Sequence, residues 1–299
     1  MRPLESDALM ERIRVVFTGD LTSPEFLPAR ARLAALADLH TLPLGEARAA
    51  LEDRGAALVV VGKSFPEQFS PAAIETLRQA APLARLVVIE GSWCESESRT
   101  GRIWPGVARV PWSAAEAALQ REATALAENR PSRWSGPATA APFEAALAES
   151  ELPLTVGTGR VAIHAETAEH FSWLGAACLA AGYEPLAAAS ANASPLVENP
   201  GRDSQKPSGI VAALWQGTHL AGDRAQETAL ARFTAALAAP TLVLLDFPRR
   251  QDLDAATQAG ASGVLGVPCS VLDLSTALAL AMEERNAAGL TRPGPCDAT

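Results

Sequence analysis

Short apolar runs alternate along the chain with longer segments of helical period, and the whole alternation occurs twice. The first apolar run reads RIRVVFTGD at 12–20. Alanine- and leucine-rich sequence at 23–38 follows it and predicts a helix with Ser23 as its N-cap. Strands and helices in this order favour a parallel sheet with helices on its faces. The pattern therefore predicts an α/β fold that is built twice.

Each half of the chain is predicted to be a doubly wound, five-stranded unit of the flavodoxin-like kind, with strand order 2-1-3-4-5. In each half, one helix is predicted to be replaced by a loop that is too polar and too rich in proline to be helical. Loop 92–106 replaces the fourth helix of the first half, and loop 190–209 replaces the second helix of the second half. The predicted divisions are domain 1 at 1–128, a linker with a short helix at 129–158, domain 2 at 159–286 and a flexible tail at 287–299.

The charge of the chain argues against a nucleic-acid or membrane partner. Charged residues make up 20% of the sequence and the formal net charge is −9, so the field of the whole chain repels phosphate groups. No apolar stretch is long enough to cross a membrane, and the start, MRPLESDALMERIR, lacks the apolar run of a signal peptide. We therefore expect a cytoplasmic protein that binds neither nucleic acid nor membrane.

The cysteines and histidines do not complete a metal site. The four cysteines lie far apart in the sequence and form no C-x-x-C pair. The tripeptide His-Ala-Glu at 164–166 and the Pro-Cys pair that ends at Cys269 are similar to parts of the zinc motif of nucleobase deaminases. Leu272, however, stands where that motif has its second cysteine. Neither a metal nor another cofactor is predicted.

A resemblance to the receiver domains of bacterial response regulators is carried by one long segment and one short one. The long segment, 240–278, reads PTLVLLDFPRRQDLDAATQAGASGVLGVPCSVLDLSTAL. The family likewise runs from an apolar fourth strand, through a helix that ends in Ala-Gly-Ala, to a fifth strand that ends in Lys-Pro. In domain 1, ALVVVGKSFP at 57–66 is similar to the family's third strand and the proline after it. The resemblance covers 12–128 and 159–286, and it implies a role in bacterial signal transduction or regulation.

The phosphoacceptor of that family has no counterpart in either domain. Receivers transfer a phosphoryl group to an aspartate at the end of the third strand, with the help of magnesium held by acidic residues after the first strand. The matching phosphoacceptor positions are Gly62 in domain 1 and Leu214 or Trp215 in domain 2. After the first strand only one acid remains in each domain, Asp20 and Glu166. The resemblance therefore implies domains that accept no phosphate.

The lysine that receivers carry on their fifth strand is also missing. Val110 and Val267 stand at that position in domains 1 and 2. The chain has only two lysines, Lys63 and Lys206, and both precede the fourth strand of their own domain, so no shift of the alignment restores this residue. Both domains are therefore predicted to be degenerate pseudo-receivers that do not take part in aspartyl phosphorylation.

Protein binding is the predicted activity, and two regions are candidates for it. In the receiver family the face of the fourth helix, fifth strand and fifth helix commonly binds partners, which implies a docking or homodimer surface at 251–284. Aromatic and arginine side chains are enriched at interfaces. The alternative role for the tryptophans of loop 92–106 is to anchor that loop on its own sheet. The candidate residues in the loop are Trp93, Arg99, Arg102 and Trp104.

The main alternative is a small-molecule sensor or an enzyme that uses the crevice at the carboxyl ends of the strands. Asp20, Ser64 and Glu90 lie at such strand ends in domain 1, and Asp246 lies at one in domain 2. Each of these residues is equally suited to a cap or a turn. We therefore predict a non-enzymatic protein, with ligand binding in domain 1 as the competing hypothesis.

Overall fold

Two sheets of five parallel strands organise the chain. The computed structural model describes residues 12–94, 97, 104, 106–134, 152–188 and 209–290. The chain divides into two compact units, unit 1 at Met1–Leu152 and unit 2 at Pro153–Thr299. In the described residues, no helix is long and apolar enough to cross a membrane.

The sheet of unit 1 has the order β2-β1-β3-β4-β5, which confirms the predicted topology. Its central strand, β3, is buried at every residue, as expected for a run of Leu and Val that is covered on both faces. The strands are β1 Arg14–Gly19, β2 Asp38–Thr41, β3 Leu58–Lys63, β4 Arg85–Glu90 and β5 Ala108–Pro111. The described helices are α1 Leu27–Leu36, α2 Leu44–Arg54, α3 Pro71–Ala80 and α4 Trp112–Ala127.

The sheet of unit 2 repeats this topology in the order β7-β6-β8-β9-β10. Its central strand, β8, is apolar and buried from Ala212 onward. The strands are β6 Arg160–His164, β7 Glu184–Ala187, β8 Ile210–Gly217, β9 Thr241–Asp246 and β10 Gly263–Val267. The described helices are α5 Ala168–Ala180, α6 Arg224–Leu237, α7 Arg250–Gln258 and α8 Val271–Leu290.

The first helix of unit 1 does not begin as predicted. Ser23 makes no capping hydrogen bond through its side chain, and a 3-10 turn at Pro24–Phe26 precedes α1. Asp20 instead accepts hydrogen bonds from the backbone N–H groups of Thr22 and Ser23. Ser23 lies at the N-cap position of this turn with Pro24 directly after it, as predicted, but its side chain does not cap, and α1 itself begins only at Leu27.

In a full doubly wound unit, a fourth helix connects the fourth and fifth strands. It packs on the same face of the sheet as α2 and α3, because right-handed crossovers that run in the same direction place their helices on one face. Of segment 92–106, which was predicted to be a loop, the structure describes a 3-10 turn at Ser92–Cys94, Glu97 in helical conformation, Trp104, and Gly106 in a turn. Trp104 packs against the core between the sheet, α2 and α3. The rest of this segment, and most of the predicted loop at 190–209, lie outside the described residues.

Candidate functional site at the carboxyl edge of unit 1

Asp20 and Ser64 meet at the carboxyl edge of the unit 1 sheet. The Ser64 hydroxyl donates to Asp20 Oδ2, while Asp20 Oδ1 accepts from Thr22 N at 2.8 Å, Thr22 Oγ1 at 2.8 Å and Ser23 N at 3.1 Å. Burial opposes ionisation of Asp20, but the hydrogen bonds from Ser64, Thr22 and Ser23 outweigh it and lower the pKa of this carboxyl. Asp20 is therefore an ionised carboxylate whose Oδ1 holds the turn that follows it and whose Oδ2 is bonded to Ser64.

A second set of polar side chains lies at the same edge, and we call Lys63, Glu90, Glu97 and Arg109 the charged cluster. Lys63 and Glu90 are register partners on β3 and β4, and Arg109 on β5 pairs with Val88, two residues before Glu90. Because side chains alternate along a strand, the side chains of Lys63, Glu90 and Arg109 emerge on one face. Glu97 reaches this face from the segment that follows β4.

The members of the charged cluster pair with one another. Lys63 Nζ donates to Glu97 Oε2, Arg109 Nε donates to Glu90 Oε1 at 2.7 Å, and Arg109 Nη2 lies 3.9 Å from Glu97 Oε2. Lys63, Glu97 and Glu90 are 2%, 7% and 9% exposed. Two cations thus face two carboxylates in a site that is nearly closed to water, where each charge needs its partner.

Burial sets the protonation behaviour of two further groups at this edge. Desolvation raises the pKa of Glu90 above its usual value, and the nearby Arg109 guanidinium offsets this rise only in part. Burial also raises the pKa of Cys94 to about 12, and the Cys94 thiol lies 3.5 Å from the carbonyl oxygen of Lys63. Cys94 is therefore a protonated thiol at neutral pH, without the thiolate character that a nucleophile requires.

The two described tryptophans of segment 92–106 have different surroundings. The ring centre of Trp104 lies 4.9 Å from Lys63 Nζ, and the ring packs against the core, so this side chain anchors the segment on its own sheet. Trp93 is 70% exposed. Arg99 and Arg102 lie outside the described residues. Of the candidate interaction residues that the structure describes, Trp93 is the one displayed at the surface.

Gly62, the residue at the predicted phosphoacceptor position of unit 1, lies beside Gly19 in the sheet. A Cβ atom at Gly62 would lie 2.8 Å from Phe26 Cδ2 and 2.9 Å from the carbonyl oxygen of Asp20. Glycine is needed here because the 3-10 turn before α1 approaches the strand so closely. Val110, at the predicted lysine position, is buried in β5.

The matching edge of unit 2 is filled by aromatic rings. The ring of His164 stacks on Trp215 with centres 3.8 Å apart, and Phe233 meets Trp215 edge-on at 5.2 Å. Burial lowers the pKa of His164, so its imidazole is neutral at pH 7. Leu214 is buried, whereas Asp246 is exposed at the end of β9 beside its register partner Val267.

No metal site forms around the zinc-like motif in the part of unit 2 that the structure describes. Across the described residues, no three His, Cys, Asp or Glu side chains come close enough together to hold a metal ion. Burial raises the pKa of Cys269 to about 12, so its thiol is protonated. His164 instead serves as a packing partner for Trp215.

The registers of the two sheets allow their edges to be matched residue by residue. With Arg14 matched to Arg160, the pair Val16–Val59 in unit 1 corresponds to Ala162–Ala213 in unit 2. The same match places Gln216, rather than the predicted Leu214 or Trp215, at the position of Gly62, and it extends across both sheets. The three strand residues of the charged cluster then correspond to apolar residues. Lys63, Glu90 and Arg109 match Gly217, Leu245 and Val264.

Asp252 is a buried carboxylate of unit 2 that the sequence did not single out. Its Oδ1 accepts from the backbone N–H groups of Leu220 at 2.9 Å and Ala221 at 2.7 Å, and its Oδ2 accepts from Arg249 N at 2.9 Å. Asp252 thereby joins the loop after β8 to the start of α7. A carboxylate that accepts three backbone hydrogen bonds in this way has a structural role.

The sequence alone also does not reveal the charged cluster as a unit. In the sequence, Lys63 was notable only within Gly-Lys-Ser, the end of a P-loop motif whose first glycine is replaced by Ala57. A signal was present, since Lys63 ends an otherwise apolar, fully buried strand. A lysine in such a position requires a buried partner, but the sequence does not reveal that the partner is Glu97.

Comparisons with known proteins concern the fold. No protein-family model and no curated protein matches the chain. A pilus assembly-related protein from Burkholderia pseudomallei shares 20% identity over 45% of this chain and 96% of its own, with a TM-score of 0.34. A response regulator receiver domain protein from Clostridium thermocellum shares 18% sequence identity with this chain. The match covers 44% of this chain and 98% of that protein, with a TM-score of 0.33. The Escherichia coli RcsC C-terminus contains a linker region and a phosphoreceiver domain. It shares 10% sequence identity with this chain, and the match covers 93% of this chain and 96% of that one, with a TM-score of 0.32.

Proposed function

We propose that this protein is a receiver-like signalling or regulatory protein that binds a protein partner without aspartyl phosphorylation. The observation that carries this proposal is the environment of Gly62. A side chain at this position has no room between Phe26 and the backbone of Asp20. An aspartyl phosphate, which is far larger than a methyl group, does not fit there.

Four carboxylates near the two edges are already engaged, whereas Asp246 is exposed at the end of β9. Asp20 holds the turn before α1, and Asp252 holds the loop after β8. Glu90 and Glu97 are paired with Arg109 and Lys63. A phosphoacceptor and its magnesium ligands need free carboxylate oxygens, so these pairings support a function that does not require phosphoryl transfer.

The proposed docking region of unit 2, 251–284, is exposed only in part. Along α8, a continuous run from Leu272 to Thr276 is buried, as are Leu278, Leu280 and Ala281. On α7, by contrast, Gln251, Asp254, Thr257 and Gln258 are exposed, as is Arg250, which directly precedes the predicted region. The exposed face of α7 is therefore the part of this region that we propose to contact the partner or a second copy of the chain.

The proposal is tested by charge reversal on α7. Arg250→Glu should weaken both capture of the native partner and self-association, because Arg250 is exposed on the proposed face. Arg48→Glu on α2 is the matched control, since Arg48 is equally exposed and also pairs with an acid four residues along its helix. Binding that survives Arg250→Glu unchanged, or that requires a phosphodonor and magnesium, would contradict the proposal.

The second candidate function is small-molecule binding in the crevice of unit 1. The observation that favours it is the contact between Asp20 and Ser64, two of the three residues that the sequence suggested for this crevice. Glu90, the third, pairs with Arg109 in the charged cluster. A thermal-shift screen against nucleotides and metabolites tests this function, with the expectation that Asp20→Ala abolishes any stabilisation.

A further inference from the structure

Glu97 lies in a set of hydrogen-bond donors that belong to other parts of unit 1. Lys63 Nζ donates to its Oε2, Arg109 Nη2 lies 3.9 Å from the same oxygen, and the backbone N–H of Glu67 donates to its Oε1 at 3.5 Å. These donors come from β3, β5 and the turn after β3. Two strand side chains thus contact one oxygen of the carboxylate, and a backbone N–H of the turn contacts the other.

The fold does not require charged residues at this edge. Unit 2 has the same topology and places Gly217, Leu245 and Val264 where unit 1 has Lys63, Glu90 and Arg109. Apolar packing at such a position is often as stable as a buried ion pair or more stable, because the charges must be desolvated. The charged cluster is therefore better explained by recognition of a ligand than by stability of the sheet.

We propose that Lys63, Arg109 and the backbone N–H of Glu67 form a binding site for a small molecule with a carboxylate group, and that the Glu97 side chain occupies this site when the ligand is absent. The ligand carboxylate takes the place of the Glu97 carboxylate. This binding is non-covalent.

The exchange leaves the charge of the site unchanged. Lys63 and Arg109 are balanced by Glu90 and Glu97, and a ligand carboxylate restores the same balance once Glu97 turns to solvent. The Trp104 ring, 4.9 Å from Lys63 Nζ, provides an aromatic surface for the organic part of the ligand. The site lies in unit 1 and uses neither Asp20 nor α7, so it stands independently of partner docking by unit 2.

The experiment compares the wild-type protein with Glu97→Gln, using acetate as the probe and chloride at equal ionic strength as the reference. The amide keeps the shape of the side chain but leaves Lys63 without its counter-ion. We expect saturating acetate to raise the Tm of Glu97→Gln by roughly 4 °C and to raise that of the wild type much less. Lys63→Met/Glu97→Gln should not respond, and Glu75→Gln on the exposed face of α3 should behave as the wild type.

A second measurement keeps the proposal falsifiable if Glu97→Gln does not fold. In the wild-type protein, acetate should shift the NMR signals of the Glu67 backbone amide and the Trp104 indole, while chloride should not. The proposal would be overturned if acetate raised the Tm of Glu97→Gln and of the double variant equally. It would also be overturned if acetate left the NMR signals of the wild-type protein unmoved. Inorganic phosphate is the comparison anion, and a response to phosphate without a response to acetate would contradict the carboxylate class.

Discussion

The two units share one sheet topology and differ at its carboxyl edge. Unit 1 places Lys63, Glu90 and Arg109 there, whereas unit 2 places Gly217, Leu245 and Val264 at the matching positions. The strands that form both cores are short runs of Val, Leu, Ile and Ala. The same sheet topology is therefore compatible with charged residues at this edge in unit 1 and with Gly217, Leu245 and Val264 at the matching positions in unit 2.

The units also differ in how they use a single carboxylate to organise a loop. Asp20 of unit 1 is partly exposed and holds the turn that directly follows it, at Thr22 and Ser23. Asp252 of unit 2 is buried and holds a loop more than thirty residues away in sequence. A long-range, buried carboxylate contributes more to stability than a local, hydrated one, because its loss leaves buried N–H groups without partners.

The largest expected effect comes from moving a unit 1 charge into unit 2. Leu245→Glu places a carboxylate at the position of Glu90 without an arginine beside it, and it should destabilise unit 2 by about 3–5 kcal/mol. Leu245→Glu/Val264→Arg should recover part of this loss by recreating the Glu90–Arg109 pair.

Hydrogen exchange of the β8 amides measures this effect, since it reports opening of unit 2 separately from unit 1. Leu179→Glu on α5 is the matched control, because Leu179 is 63% exposed and a charge there stays hydrated. If the β8 amides exchange as slowly in Leu245→Glu as in the wild type, the edge of unit 2 tolerates an unpaired carboxylate and the expected difference between the two edges is contradicted.

Removal of the buried carboxylate should have the next largest effect. Asp252→Ala leaves the N–H groups of Leu220, Ala221 and Arg249 without their acceptor, and we expect a loss of about 2–3 kcal/mol. Asp20→Ala should cost about 1 kcal/mol, since water can replace the carboxylate. Urea unfolding of both variants, with exposed Asp254→Ala as the control, measures the difference; equal losses would refute it.

Acidification should lower the stability of unit 2 through protonation of His164. Burial lowers the folded pKa of His164 below 6.5, so the unfolded chain binds the proton first as the pH falls. The stability of unit 2 should decrease through the window between 6.5 and the lower folded pKa, by at most about 1.4 kcal/mol per pH unit. The free energy of opening of unit 2, derived from amide exchange after division by the intrinsic rate at each pH, should lose its pH dependence across this window in His164→Phe. It should keep that dependence in His170→Gln, where an exposed histidine is changed.

The smallest expected effect is the reverse exchange in unit 1. Glu90→Leu/Arg109→Val installs the unit 2 residues as a pair and should change the stability of unit 1 by about 1 kcal/mol or less in either direction. Glu90→Leu alone should cost more, because it leaves Arg109 without its main partner. Thermal unfolding of the single and double variants checks this order, and a double variant less stable than either single variant would show that the charges support the fold.

The strand order followed from the sequence because the central strands are separate apolar runs bounded by turns, whereas the edge strands β2 and β7 are short and mixed in polarity. The contacts of the charged cluster did not follow from it. Lys63 and Glu97 are 34 residues apart and Glu90 and Arg109 are 19 apart, and both pairs depend on the register of the strands. Local patterns specify which face a side chain occupies, but they do not specify which neighbour it meets.

Two smaller differences have the same cause. The sequence placed Asp20, Ser64 and Glu90 in one crevice because all three lie at strand ends, yet Glu90 turns to Arg109 while Asp20 and Ser64 bond to each other. Asp252 looked like an ordinary residue in the first turn of a helix. Its contact with the loop after β8 became visible only when the two segments were brought together in space.

The central claim is that neither unit uses aspartyl phosphorylation, and the most direct test is the mass of the intact protein after incubation with a small phosphodonor and magnesium. A receiver domain that carries the usual aspartate serves as the positive control. We expect the mass of this protein to stay unchanged while that of the control increases by one phosphoryl group. A phosphoryl group on an aspartate of this chain, such as Asp20 or Asp246, would contradict the account.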